Sequence, residues 1–148
     1  MNFKIKKFDE LNTKELYEIL SLRNEVFVVE QNCPYQDIDS IDFNSYHIFL
    51  EKDDQIVSYL RIMDKEVNGF FVSIGRVLVK ENFRKNNIAN EMIKFAMNFI
   101  FDEMNESSIK LSAQTYLLDF YKNHGFIEIS SVYKEDGIDH IDMVFHKI

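Results

Sequence analysis

Hydrophobic residues change their spacing several times along this chain of 148 residues, and each change marks an element. Residues 3–8 alternate, Phe3 and Ile5 against Lys4 and Lys6, and predict an edge strand. Asn12 and Glu15 stand at capping-box spacing, and Leu16, Ile19, Leu20, Arg23, Val26 and Phe27 follow at helical intervals. That helix is expected to end before Pro34, whose ring disfavours helical geometry at Cys33. Residues 34–45 form an acidic loop with Asp37, Asp39 and Asp42. Residues 46–52 and 55–63 are two β-rich runs with Asp53-Asp54 between them, a hairpin pattern, and residues 70–79 are a third, longer strand. Then the period becomes helical. Ile88, Met92, Ala96 and Phe99 recur on one stripe, widened by Ile93, Met97, Ile100 and Met104. A short strand at 109–113, a short helix at 117–123 and a final strand pair at 126–133 and 138–146 complete the order. The reading β-α-β-β-β-α-β-α-β-β predicts an α/β fold, a mixed central β-sheet flanked by helices on both faces. No repeat or Pro/Gly/Ser-rich linker interrupts it, so residues 1–148 are expected to form a single domain.

Composition narrows the function. The chain is 46% hydrophobic and 14% aromatic, enough to build a packed core. No apolar run reaches the roughly 18 residues that cross a bilayer, and the start does not look like a signal peptide. Cys33 is the single cysteine, so no internal disulfide or thiolate cluster forms, which fits a reducing, cytoplasmic setting. The four histidines show no ligand spacing, and no metal is expected. A formal net charge of −8 argues against a nucleic-acid partner, which would require a basic surface.

Candidate chemistry gathers at one junction. A strand ending Val77-Leu78-Val79 runs into a polar loop containing Arg84, Lys85, Asn86 and Asn87, and Ile88-Ala89 then opens the amphipathic helix. Free N–H groups at a helix start point outward, and the helix dipole adds about half a positive charge there. Such an end cradles phosphate, and Arg84 and Lys85 add full charges. An ordinary solvated helix start with two surface cations accounts for the same residues.

The segment from Val79 to Ala89 resembles the pyrophosphate-binding motif of the GNAT superfamily of N-acetyltransferases. Arg84 matches its first position and Ala89 its last, while Asn87 stands where the family usually has glycine. Residues 114–126, containing Gln114 and then Phe120-Tyr121 followed by Gly125-Phe126, resemble the family's later motif. Residues 23–35 and 133–141 resemble the ElaA branch of that superfamily. These segments occur in the family's order and span nearly the whole chain.

The resemblance implies direct transfer of the acetyl group of acetyl-CoA to an amine in a ternary complex. It places cofactor contacts at Val77, Leu78, Val79, Arg84, Lys85, Asn86, Asn87, Ile88, Ala89 and Gln114. It gives Tyr121 the role of general acid and puts an oxyanion donor on the strand 77–79, here expected to be the N–H of Leu78. The acceptor ammonium must also lose a proton, and Glu30 is the first candidate base, with His140 the second. Cys33, Tyr35, Arg76 and His140 are expected to line the acceptor pocket. Arg61 and Arg76 sit inside apolar strands, where they bind a substrate carboxylate or pair internally with Glu30 or aspartates. The acceptor is a small-molecule amine or a protein amine, and the aromatic-rich final strands leave a homodimer open. An acyl-CoA-binding or sensing module with little catalytic activity is the alternative reading, motivated by Asn87.

Overall fold

Asn12 opens helix α1 (Thr13–Arg23), as its spacing predicts. In the computed structural model, which describes residues 1–67 and 69–148, Asn12 Oδ1 accepts from the Glu15 N–H at 2.8 Å and Glu15 Oε1 accepts from the Asn12 N–H at 2.9 Å. The reciprocal pair satisfies donors that a helix start otherwise leaves free. The helical path does not stop at Arg23. Asn24–Glu30 continue it as a wider π-helical segment, which a hydrophobic period of 3.6 does not reveal.

Ser45–Lys52 (β2) and Gln55–Met63 (β3) form the expected hairpin. Asp53 and Asp54 turn it at φ values of 52° and 58°, the left-handed pair that a two-residue hairpin loop demands. Aspartate tolerates this geometry less well than Asn-Gly. Asp53→Asn combined with Asp54→Gly is therefore expected to stabilise the fold by about 1 kcal/mol, seen as a higher urea midpoint at unchanged slope.

Apart from short 3-10 turns and a one-turn helix at Lys65–Asn68, the remaining elements are β1 (Lys4–Lys7), β4 (Val72–Val79), α2 (Ile88–Asp102), β5 (Ser108–Gln114), α3 (Leu118–Lys122), β6 (Ile127–Glu128), β7 (Tyr133–Glu135) and β8 (Ile138–His146). The sheet runs β1-β2-β3-β4-β5-β8, with β6 and β7 both on the far side of β8. Strands β1 to β4 are antiparallel, β4 and β5 are parallel across α2, and β8 returns antiparallel to β5. The single strand expected over 126–133 is broken in two. Between the pieces the Ser130 hydroxyl, not a backbone carbonyl, accepts the Asp142 N–H at 2.9 Å, so the ladder is interrupted there.

Period-two alternation sends neighbouring residues to opposite faces. Ile48, Leu60, Ile62 and Ile74 pack with Met92, Ile93, Ala96 and Ile100 of α2, while Phe49, Tyr59 and Leu78 pack with Ile19, Leu22 and Val26. Helices thus cover both faces, as expected.

Two irregularities of β4 shape the site. It pairs with β5 only over Val72–Ile74 and Ile109–Leu111, and beyond that the two strands part, opening a wedge in the sheet. Against β3 its register slips as well, because Arg61 faces Gly75 while Tyr59 faces Leu78. Two steps of β3 thus oppose three of β4, and the extra residue is absorbed at Arg76, with φ of 54°. A non-glycine residue held in that region marks a place where the surroundings dictate the backbone.

Candidate functional site

The wedge opens into a cleft of about 840 Å³. Its walls are Gly75 to Val79 of β4 and Leu111, Ser112 and Gln114 of β5, with Tyr121 of α3 beside them. The π-helical segment contributes Val26, Phe27 and Glu30, followed by Gln31. Cys33, Tyr35, Tyr133 and His140 line it as well. A second hollow of about 200 Å³ lies at the start of α2, lined by Lys85, Asn87 and Ile88 and sharing Val79, Arg84 and Ala89 with the main cleft. Asn86 lines neither, and its Nδ2 donates to the Phe83 carbonyl at 3.2 Å.

The start of α2 differs from that of α1. Its N-cap residue, Asn87, has φ 62° and makes no capping hydrogen bond. Its Oδ1 accepts from Asn90 Nδ2 at 2.8 Å and its Nδ2 donates to Glu91 Oε1 at 3.3 Å, which holds the side chain toward the helix's own first turn. Lys85 is also left-handed, at φ 67°. Two left-handed residues thus flank Asn86 in this short loop. Asn87 holds its backbone left-handed while its side chain leaves the helix donors uncapped.

Arg84 reaches across from this loop. Its Nε donates to the Val79 carbonyl at 2.8 Å, its Nη2 to Glu30 Oε1 at 2.9 Å, and its Nη1 lies 2.8 Å from Glu30 Oε2. The hydrogen bond to Glu30 holds the guanidinium above its usual range. Both Glu30 oxygens face this cation. One residue on, Gln31 and Gln114 exchange amide hydrogen bonds of 3.2 and 3.3 Å, tying the end of the π segment to the end of β5.

Tyr121 is 4% exposed, with its ring edge-on to Phe120 at 5.0 Å and Phe126 at 6.1 Å. Burial pushes its phenol up, so at neutral pH it keeps its proton and can donate. The ladder bears on the oxyanion donor expected at Leu78. The Lys80 N–H donates to the Val57 carbonyl at 2.7 Å, and alternation in an antiparallel pair then turns the Leu78 N–H toward Tyr59 on β3. By the same alternation the Val79 N–H is turned away from β3, while Val77 lies within the bulge beside Arg76.

The acidic loop is neither solvated nor free. Arg23, fully buried, donates through Nε to Asp37 at 2.8 Å and through Nη1 to Asp42 at 2.7 Å. Arg61 donates to Asp39 at 2.6 and 2.8 Å and to Asp42 at 3.0 Å. Arg76 lies over the Tyr35 ring at 5.8 Å, donates to Asp39 at 3.3 Å, and has Nε 2.7 Å from Asp37 Oδ1 without hydrogen-bond alignment. Tyr35 donates to Asp37 at 2.5 Å. Three arginines thus meet three aspartates, and the internal pairing of Arg61 and Arg76 runs through the loop, not through Glu30. Arg23 stands on the same helical stripe as Ile19, Val26 and Phe27, and nothing local in the sequence marks it as a partner of the loop.

The far end of the cleft is built by the β7–β8 hairpin. Cys33 is buried, and its Sγ lies 3.3 Å from the Asp136 carbonyl. His140 is 8% exposed and sits opposite Gln114 in the β5–β8 register. Its Nδ1 lies 2.8 Å from the Ile138 carbonyl, its Nε2 lies 3.6 Å from Glu135 Oε2, and the Tyr133 ring stacks on it at 6.1 Å. Tyr133 in turn donates to Asp142 at 2.6 Å and hydrogen-bonds Ser112. Burial and Asp142 push the Tyr133 phenol up to about 12. No sequence signal marks Ser112 or Asp142, and Tyr133 only opens the segment 133–141; strand pairing brings the three together.

Comparison with known proteins agrees with this architecture. A family profile described as an acetyltransferase (GNAT) domain matches residues 10–147. Protein ElaA of Escherichia coli K12 is 41% identical over 136 residues, covering 90% of this chain and 89% of that protein. The crystal structure of E. coli ElaA superposes with a TM-score of 0.92 at 37% identity, over 99% of this chain and 100% of that one. An acyl-CoA N-acyltransferase from Pseudomonas aeruginosa gives a TM-score of 0.92 at 35% identity, over 98% and 99%.

Proposed function

The chain belongs to the GNAT acetyltransferase family, and on that premise we propose that it moves the acetyl group of acetyl-CoA to an amine acceptor by direct transfer in a ternary complex. The observation that carries this reading is the uncapped start of α2, which opens into the same wedge as β4 and Tyr121. A diphosphate would take the free helix donors together with Arg84, and Lys85 lines the same hollow. The thioester arm would then lie along the open edge of β4 and take the place of the strand partner that β5 no longer provides there. An acetyl oxygen at an unpaired N–H of that edge would find a fixed donor as its charge develops.

Tyr121 serves the leaving sulfur. Its phenol, held above the usual value of about 10, is a weaker acid than a thiol near 8.5, so it stabilises the thiolate by hydrogen bonding more readily than by complete proton transfer. The amine lone pair attacks the thioester carbon, the C–N bond forms, and collapse of the oxyanion breaks the C–S bond. Of the two protons nitrogen loses, one ends on the departing sulfur and the other goes to a base facing the cleft.

Thiol release with acetyl-CoA and a panel of amines tests this proposal. Amine-dependent release is the expected result, and saturable acetyl-CoA binding without release would instead identify a binding module. In the same assay series, Arg84→Ala is expected to weaken acetyl-CoA affinity about tenfold, with the larger loss at low ionic strength. Calorimetric titration at two salt concentrations reads both effects, and an unchanged affinity would misplace the phosphate site.

A further inference from the structure

The acceptor's proton needs a destination, and the two candidates in the cleft differ in what already occupies them. Glu30 presents both carboxylate oxygens to Arg84, at 2.8 and 2.9 Å. A base in that state must break a bidentate, charge-assisted pair before it takes a proton. His140 stands otherwise. Its Nδ1 faces the Ile138 carbonyl at 2.8 Å, and because a carbonyl only accepts, Nδ1 carries the hydrogen. Neutral imidazole then has its lone pair on Nε2, and Nε2 is the nitrogen that faces Glu135 Oε2 at 3.6 Å. That carboxylate is too distant for a hydrogen bond, so it does not occupy the Nε2 lone pair. Tyr133 stacks on the ring at 6.1 Å with 25° between planes, fixing its orientation.

Resting on the transferase reading, we infer that His140 Nε2 is the base that deprotonates the acceptor ammonium. His140 lines the same cleft as Tyr121 and Val77, and it faces Gln114, the last residue of β5, where the wedge is open. The proton passes from R–NH3⁺ to Nε2, leaving R–NH2 for attack and an imidazolium that later releases the proton to solvent. The arrangement repeats the logic of a histidine whose one nitrogen is anchored so that the other can work.

The test compares acceptors that carry the proton with one that does not. Phenethylamine, spermidine and a short peptide with a free N-terminus are the charged acceptors, and O-methylhydroxylamine is a small nucleophile already neutral at pH 7. His140→Gln is expected to lower kcat with a charged acceptor about 100- to 1,000-fold, at acetyl-CoA affinity within about twofold of the parent. With O-methylhydroxylamine the loss should stay below about tenfold, and free imidazole should partly rescue His140→Ala with charged acceptors. Equal losses with neutral and charged nucleophiles, or a large loss in Glu30→Gln while His140→Gln stays active, would overturn the assignment. If the parent protein releases no thiol with any of these probes, the transferase reading fails and takes this inference with it. Parent turnover with unaffected His140 variants sinks the inference alone.

Discussion

Arg23→Ala is expected to cost about 3–5 kcal/mol of folding stability and to lower the melting temperature by roughly 10 °C. The guanidinium is fully buried between Asp37 and Asp42, so its removal leaves carboxylates that are 7% and 6% exposed with Tyr35 and Arg76 on one side and Arg61 on the other, one buried cation short. Burial by itself would raise the Asp42 carboxyl, but Arg23 and Arg61 outweigh it and hold the group below the usual range. The Asp39 carboxyl is lowered against burial in the same way, mainly by Arg61. Because these folded-state values are depressed, the stabilisation is fully present above the unfolded carboxylate range near pH 4 and is lost as pH falls through the folded values. The network joins α1, β3, the bulge at Arg76 and the loop that forms one end of the cleft. Urea denaturation at pH 7 measures the effect. A change below about 1 kcal/mol would mean that the loop swings out and rehydrates its aspartates, and that the network does not hold it.

Tyr121→Phe is expected to lower kcat about 100- to 1,000-fold while leaving acetyl-CoA affinity within about twofold. Phenylalanine keeps the edge-on contacts with Phe120 and Phe126, so the packing of α3 is retained. Only the hydroxyl is lost, and in this account it acts after binding, as negative charge gathers on sulfur. Equal losses in affinity and turnover would make Tyr121 a binding residue.

Much of this fold was written in local pattern. The Asn12–Glu15 capping box, the Asp53-Asp54 hairpin and the apolar stripe of α2 each depend on residues a few positions apart, and each forms as predicted. The features that were not legible depend on long-range pairing. A π-helical segment keeps enough hydrophobic periodicity to pass for α-helix, and the break between β6 and β7 rests on one serine hydroxyl reaching a strand it meets only after folding. Which N–H of β4 faces the wedge turns on the register slip at Arg76, which composition does not encode. The acidic loop illustrates the same point. Asp37, Asp39 and Asp42 look like solvated charges in isolation, while their partners Arg23, Arg61 and Arg76 lie on three separate elements.

The central claim is that the open start of α2 binds the diphosphate of a thioester-bearing coenzyme, and paired calorimetric titrations with acetyl-CoA and with S-acetylpantetheine, which carries the same thioester but no diphosphate, test it most directly. Saturable acetyl-CoA binding, with the truncated thioester at least about 30-fold weaker, is the predicted result. Equal affinity for the two, or no heat from acetyl-CoA at millimolar concentration, would contradict it.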